Sequence, residues 1–190
     1  MSRLPQPSDE GAPVLNLAVG DVVVYASHGI GCVEAKRAAK GKLPETVVLA
    51  FESGLKVTLP VARAHGALRS PAGKLELEDV RRTLSAEAAP SAESWAKRFR
   101  VMQEKVTGGQ VTGLAEVVRD GLQRERRSSS APSERNLYLQ ARKLLAAEIA
   151  LARGIDPAAA EVWIDEQIGD DAGAEGGRQS NRPSPRTRAR

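Results

Sequence analysis

The sequence predicts an α+β protein of two domains, a small antiparallel β domain followed by an all-α helical domain. Three observations carry that reading. Between residues 17 and 59, short runs rich in valine and leucine are punctuated by glycines and polar turn residues. From Trp95 to Ile168, apolar residues recur at steps of three and four instead. The composition is 41% hydrophobic but only 3% aromatic, so Leu, Val and Ala must fill the interior, and two modest cores suit such residues better than one large one.

The β domain comes first. Strands are expected over 21–25, 30–36, 46–51 and 55–59, each of strand length and enriched in β-branched residues. Glu52, Ser53 and Gly54 join the last two as a hairpin. Leu55, Val57 and Leu59 alternate with Lys56 and Thr58, which gives one buried and one wet face. Four or five such strands make a curled sheet or partly open barrel with at least one free edge, able to dock a partner strand.

Gly29 and Gly31 sit where the chain turns back, and tight backbone geometry accounts for both. No third glycine or following helix completes a phosphate-binding loop. His28, His65 and Cys32 have no metal-ligand spacing, so neither a metal nor any other cofactor is expected. No nucleophile–histidine pair or carboxylate cluster is present, and an enzyme is not expected.

Residues 61–73 read as loose chain, and Leu77, Val80 and Leu84 as one short helix broken before Pro90. Ser91 reads as the cap of the next helix, whose stripe is Trp95, Phe99, Met102 and Val106, stopped by Gly108 and Gly109. A second helix runs through Val111, Leu114, Ala115, Val118 and Leu122, and 128–132 form a loop. Ser133 reads as the cap of a third, with the stripe Leu137, Ala141, Leu144, Leu145, Glu148 and Ala152 and Ile149 beside it, ended by Gly154. Asp156 and Pro157 start a fourth, through Val162 and Ile164 to Ile168. The resulting division is a disordered leader over 1–16, the β domain over 17–70, the helical domain over 71–168 and a disordered arginine-containing tail over 169–190.

Charge is concentrated in the helices. From Trp95 to Lys143 there are eleven Lys and Arg against five Asp and Glu, an excess of +6 where the whole chain carries +4. Trp95 stands among Lys97, Arg98 and Arg100 at a helix start. A ring so placed can lie in a core, or it can protrude as an apolar wedge while the cations hold phosphates. The first alternative makes the chain a protein–protein scaffold without DNA contact, and the second makes it a binder of opened DNA.

Four motifs resemble one family. The run VGDVVVYASHGIG from Val19 to Gly31 is similar to the opening strand and turn of the CarD family of bacterial transcription regulators, a module shared with transcription-repair coupling factor. The runs WAKRFR from Trp95, LAEVVRD from Leu114 and ARKLLAAEIALA from Ala141 resemble that family's helical domain in the same order. The resemblance covers roughly residues 17–168. It implies a Tudor/SH3-like β domain that docks on the RNA polymerase β subunit and a helical domain that contacts promoter DNA in the minor groove, without sequence specificity. It further implies stabilisation of the open promoter complex in bacteria, at the nucleoid through RNA polymerase. A monomer in the cytoplasm with no membrane partner is expected, since the lone Cys32 suits a reducing compartment, the first residues carry no signal-peptide pattern and no stretch reaches the roughly 20 apolar residues of a membrane span.

Carried over residue by residue, the resemblance makes Trp95 the wedge and Lys97, Arg98, Arg100 and Arg135 the phosphate contacts. Val48 and Pro60 fall at the polymerase interface, with Thr58 and Arg37 nearby. The chain departs from the family pattern at Ala26, where a proline is common, at Thr58, where some members carry arginine, and at Asn136, where lysine is frequent. Its 38–40 loop is short and lacks an arginine, and Gly121, Leu122 and Gln123 replace a bulkier aromatic segment.

Overall fold

The antiparallel sheet is built from β1 (Val22–Tyr25), β2 (Gly29–Arg37), β3 (Thr46–Phe51), β4 (Lys56–Pro60) and a two-residue β5 (Leu68–Arg69), in the spatial order β4-β3-β2-β1-β5. This is a computed structural model that describes residues 15, 17–88, 94–127 and 131–169. The leader and tail expectations therefore lie outside the described residues, apart from Leu15 and Gly169.

Alternation sorts the strands into two faces. Val23, Val33, Val47, Leu49, Phe51 and Leu59 point inward and form one core with Leu17, Ala64 and Leu68. A bulge at Glu34 shifts the β2–β3 register, so that Val33 faces Leu49 but Ala35 faces Val48. Gly29 sits in the turn expected there and has a left-handed backbone, φ 81°. Gly31 does not, and its smallness answers a different need: a β-carbon there would lie 2.8 Å from the Phe51 ring.

The stretch expected to be loose is ordered. Helix α1 (Val61–Ala67) follows β4 directly and buries Ala64, and β5 returns to pair with β1 through Leu68↔Tyr25 and Arg69↔Val24. Neither signal is visible in a seven-residue helix and a two-residue strand, because each is held by the sheet beneath it and not by its own periodicity.

The helical domain comprises α2 (Lys74–Ser85), α3 (Trp95–Gly108), α4 (Val111–Arg126), α5 (Pro132–Arg153) and α6 (Pro157–Gly169). Its core joins Val80 and Leu84 of α2 to Met102 and Val106 of α3, Leu114 and Val118 of α4, Leu145 and Ile149 of α5 and Ile164 of α6. Gly109 and Gly154 end α3 and α5 in left-handed conformation, as expected. Asp156 accepts the Ala159 N–H at 2.8 Å and so starts α6 as its sequence indicated.

Two helix starts differ. Helix α3 begins at Trp95 with Ser94 in the capping position, while Ser91 lies outside the described residues. Helix α5 begins at Pro132, not after Ser133: proline tolerates the first turn, and the Glu134 carboxylate accepts the Ala131 N–H. The buried stripe of α5 is also rotated from expectation. Glu134, Tyr138, Ala141, Leu145 and Glu148 are buried, Leu137 and Leu144 only partly, and Ala152 is exposed.

The two halves touch along the β1–β2 turn and β5. A β-carbon on Gly109 would lie 2.4 Å from that of Ala26, and one on Gly29 would lie 3.0 Å from Leu144. Arg69 donates to the Gly109 carbonyl and to both oxygens of Glu148.

Candidate interfaces

The first candidate surface is the β4 edge. The Phe51 N–H donates to the Leu55 carbonyl at 3.0 Å and the Val61 N–H to the Glu45 carbonyl at 2.9 Å. In the register between them, Val57↔Leu49 and Leu59↔Val47 occupy the hydrogen-bonded positions. Lys56, Thr58 and Pro60 therefore turn their backbone groups away from the sheet. That edge offers the N–H and carbonyl of Lys56 and Thr58 to an added strand, and it ends at Pro60, whose carbonyl starts the helix that follows.

The outer face beside this edge gathers all four residues expected at the polymerase contact. Arg37 pairs with Thr46, which pairs with Pro60, and one row further Ala35 pairs with Val48, which pairs with Thr58. Val48 is buried there and belongs to neither of the two cores. Arg37, Thr58 and Pro60 are exposed around it. The result is a shallow apolar spot with a cation at one corner.

The second candidate surface is the end of the helical domain where α3 starts. Met102 and Val106 bury the later turns of the α3 stripe, but the stripe runs out of the core toward its beginning, and Trp95 is 48% exposed. Its indole stacks on Phe99, with ring centroids 5.6 Å apart and planes 17° from parallel. Phe99 thus packs against one side of the ring, and about half of the indole's surface stays exposed.

The expected cations meet different fates. Lys97 and Arg100 are exposed on α3. The half-buried Arg98 guanidinium lies 3.5 Å from the carboxylate of Glu134, itself only 2% exposed. Arg135 is exposed but donates to Glu125 at 2.8 Å. Together these two pairs draw the first turns of α3 and α5 to the last turn of α4. Other cations of the sequence excess are engaged elsewhere. Lys105 pairs with Glu116 at 2.7 Å, and Arg119 with Asp120 at 2.8 Å. Arg142 forks onto Asp165 at 2.7 and 2.8 Å, a bond that raises its already high pKa and ties α5 to α6.

Sequence reasoning did not single out Arg126 and Arg127. Both are exposed at the end of α4, and neither they nor Arg100 form an ion pair among the described residues. They sit directly after Glu125, so they belong to the same end of the domain as Trp95. The signal was present as two adjacent arginines before a serine-rich loop, but only the ion pairs elsewhere reveal which cations keep their field.

Among the described residues no cluster of His, Cys, Asp and Glu could hold a metal, and no helix is long and apolar enough to cross a membrane.

Comparison with known proteins accords with this layout. The chain matches the CarD-like/TRCF RID domain over residues 17–72 and the CarD C-terminal domain over residues 79–165. It is 25% identical over 141 residues to the candidate transcription factor YdeB of Bacillus subtilis (strain 168), an alignment spanning 72% of this chain and 92% of that protein.

Proposed function

This chain belongs to the CarD family of transcription-associated regulators, whose front domain interacts with RNA polymerase, and we propose that it bridges the polymerase β subunit and upstream promoter DNA. In this reading the β4 edge pairs with a strand of the β subunit while Val48, Thr58 and Pro60 supply side-chain contacts. The family is one of transcription factors, and the reading gives the protein no catalytic role.

At the other end, Trp95 wedges into the minor groove at the edge of the melted region, and cations around it contact phosphates without reading bases. The single observation that carries this half is the half-exposed indole stacked on Phe99 at the start of α3. A ring meant only for the core would sit with Met102 and Val106. Its exposure weighs against the scaffold alternative, which needs it buried.

The energetics are those of differential binding. Opening DNA unstacks base steps at a cost of a few kcal/mol each, and a protein that contacts the open form better shifts the equilibrium by that difference. Polymerase supplies the promoter address, so no base-specific readout is needed. The internal ion pairs of Arg98, Arg135 and Arg142 reduce the cations directed at DNA, and Arg100, Arg126 and Arg127 are the stronger phosphate contacts. Weak DNA affinity off the polymerase follows, since few simultaneous phosphate contacts are on offer.

The polymerase half is tested by capture of purified β-subunit fragments on the full chain. Binding that is lost when Val48→Asp or Thr58→Pro is introduced supports the reading, the second because proline removes an outward N–H from the edge. No capture by the wild-type chain, beside a family member that captures, removes it.

A further inference from the structure

Arg69 closes the joint between the two halves. Its Nη1 and Nη2 donate to Glu148 Oε1 and Oε2 at 2.5 and 2.8 Å, a two-pronged pair. Its Nε and Nη2 also donate to the Gly109 carbonyl at 2.9 and 2.6 Å. Glu148 is 1% exposed and receives a further bond from the Ala72 N–H at 2.8 Å. One guanidinium at the end of β5 therefore holds the C-terminal cap of α3 and the middle of α5, while Glu148 holds the connector that follows β5.

Every one of these partners lies on a different segment from Arg69's own strand. Packing supports the same joint, through Gly109 on Ala26 and Gly29 on Leu144. A carboxylate placed on the apolar side of α5 is costly to bury, and apolar residues of similar size commonly serve stability as well or better. What such a pair supplies instead is direction, because two prongs and a fixed carbonyl admit one orientation.

We propose that Arg69 and Glu148 are positioning residues that hold the two proposed binding surfaces as one rigid body, so that docking on polymerase by itself aims Trp95. This rests on the bridging function proposed above. The clasp grips α3 at Gly109, and Trp95 stands at the other end of that helix, 14 residues and so about 21 Å away. A swing of about 15° at the clasp moves the ring by about 5 Å, more than the roughly 3.4 Å between stacked bases. Domains joined without such a clasp move relative to one another by default. With orientation fixed, the weakly DNA-binding helical domain meets its site at the high effective concentration that a rigid tether provides.

The test compares wild type with Arg69→Lys, which keeps the charge but loses the fork, and Glu148→Gln, which keeps the size but loses the charge. Each full-length protein is measured for thermal unfolding, for affinity to the β-subunit fragment, and for the lifetime it gives open complexes of a bacterial RNA polymerase. Expected is a folded variant whose fragment affinity stays within about 2-fold of wild type but whose lifetime gain falls about 10-fold, the kind of loss that slackened tethering produces. A merely structural role would lower fragment affinity and folding together. The inference is overturned if a folded variant gives the wild-type lifetime gain, or if both variants unfold at the assay temperature. Trp95→Ala, run in parallel, separates the two levels. If it abolishes the gain while the clasp variants match wild type, only the clasp is wrong. If it too leaves the gain intact, the wedge reading falls first.

Discussion

The Tyr138 ring of α5 occupies the space in which a side chain on Gly121 of α4 would begin. An ideal β-carbon at 121 would lie 2.6 Å from Tyr138 Cδ2 and 2.8 Å from its Cβ, closer than real carbons approach. The small residue at 121 is thus matched by an aromatic ring delivered from the neighbouring helix. Gly121→Ala should cost about 1–3 kcal/mol by overpacking, against the small gain that alanine brings to an open helix site. Urea unfolding checks the sign. The double variant with Tyr138→Ala should cost less than the sum of the two single changes, since removing the ring makes room for the methyl.

Gly109 and Gly154 share a left-handed conformation, φ 64° and 65°, but not surroundings. Nothing lies within 4 Å of a β-carbon on Gly154, while one on Gly109 would meet Ala26 at 2.4 Å and its backbone at 2.8 Å. Gly154→Ala should therefore cost about 1–2 kcal/mol of backbone strain alone. Gly109→Ala adds a clash across the domain joint and should cost more, a difference that thermal unfolding of the two variants resolves.

These two glycines mark what the sequence made legible. As helix stops both were readable, because glycine after an apolar period signals a left-handed end. The contact of Gly109 with Ala26 was not, since nothing in a local window reports a residue far along the chain. The same holds for charge. Glu148 stood out on an apolar stripe, which hints at a buried partner, but Arg69 is 79 positions away and carries no pattern of its own. Four strands and the turns between them followed from alternation and β-branched runs, whereas α1 and β5 were too short to leave a period. At the candidate DNA surface the sequence supplied the cluster around Trp95. It could not tell that Arg98 turns toward Glu134 while Arg126 and Arg127 face outward, because the anions that decide this come from other helices.

Exposure of Trp95 has a consequence for folding. Trp95→Ala should lower stability by about 1 kcal/mol or less, chiefly the lost stacking on Phe99. Met102→Ala, two turns further along the same stripe and buried in the core, should cost about 2–5 kcal/mol. Equal losses for the two would mean that the indole is a core residue in solution. Chemical denaturation in a Trp163→Phe background, followed by fluorescence where Trp95 is retained and by circular dichroism otherwise, gives both values.

The cations divide into two groups with opposite signatures. Replacing Arg126 and Arg127 with alanine should leave stability unchanged within about 0.5 kcal/mol, as for other surface changes. The slope of log affinity for duplex DNA against log salt should become shallower by up to about 1.8, or 0.9 for each phosphate contact removed. Arg142→Ala should do the reverse, destabilising the α5–α6 contact with Asp165 while leaving the salt slope as it was.

The most direct measurement of the central claim is the half-life of promoter open complexes after a competitor challenge, with polymerase alone, with the wild-type chain and with Trp95→Ala. Wild type should lengthen the half-life severalfold, and Trp95→Ala should lose that gain while remaining folded and bound to polymerase. A Trp95→Ala protein that lengthens it as much as wild type would contradict the account.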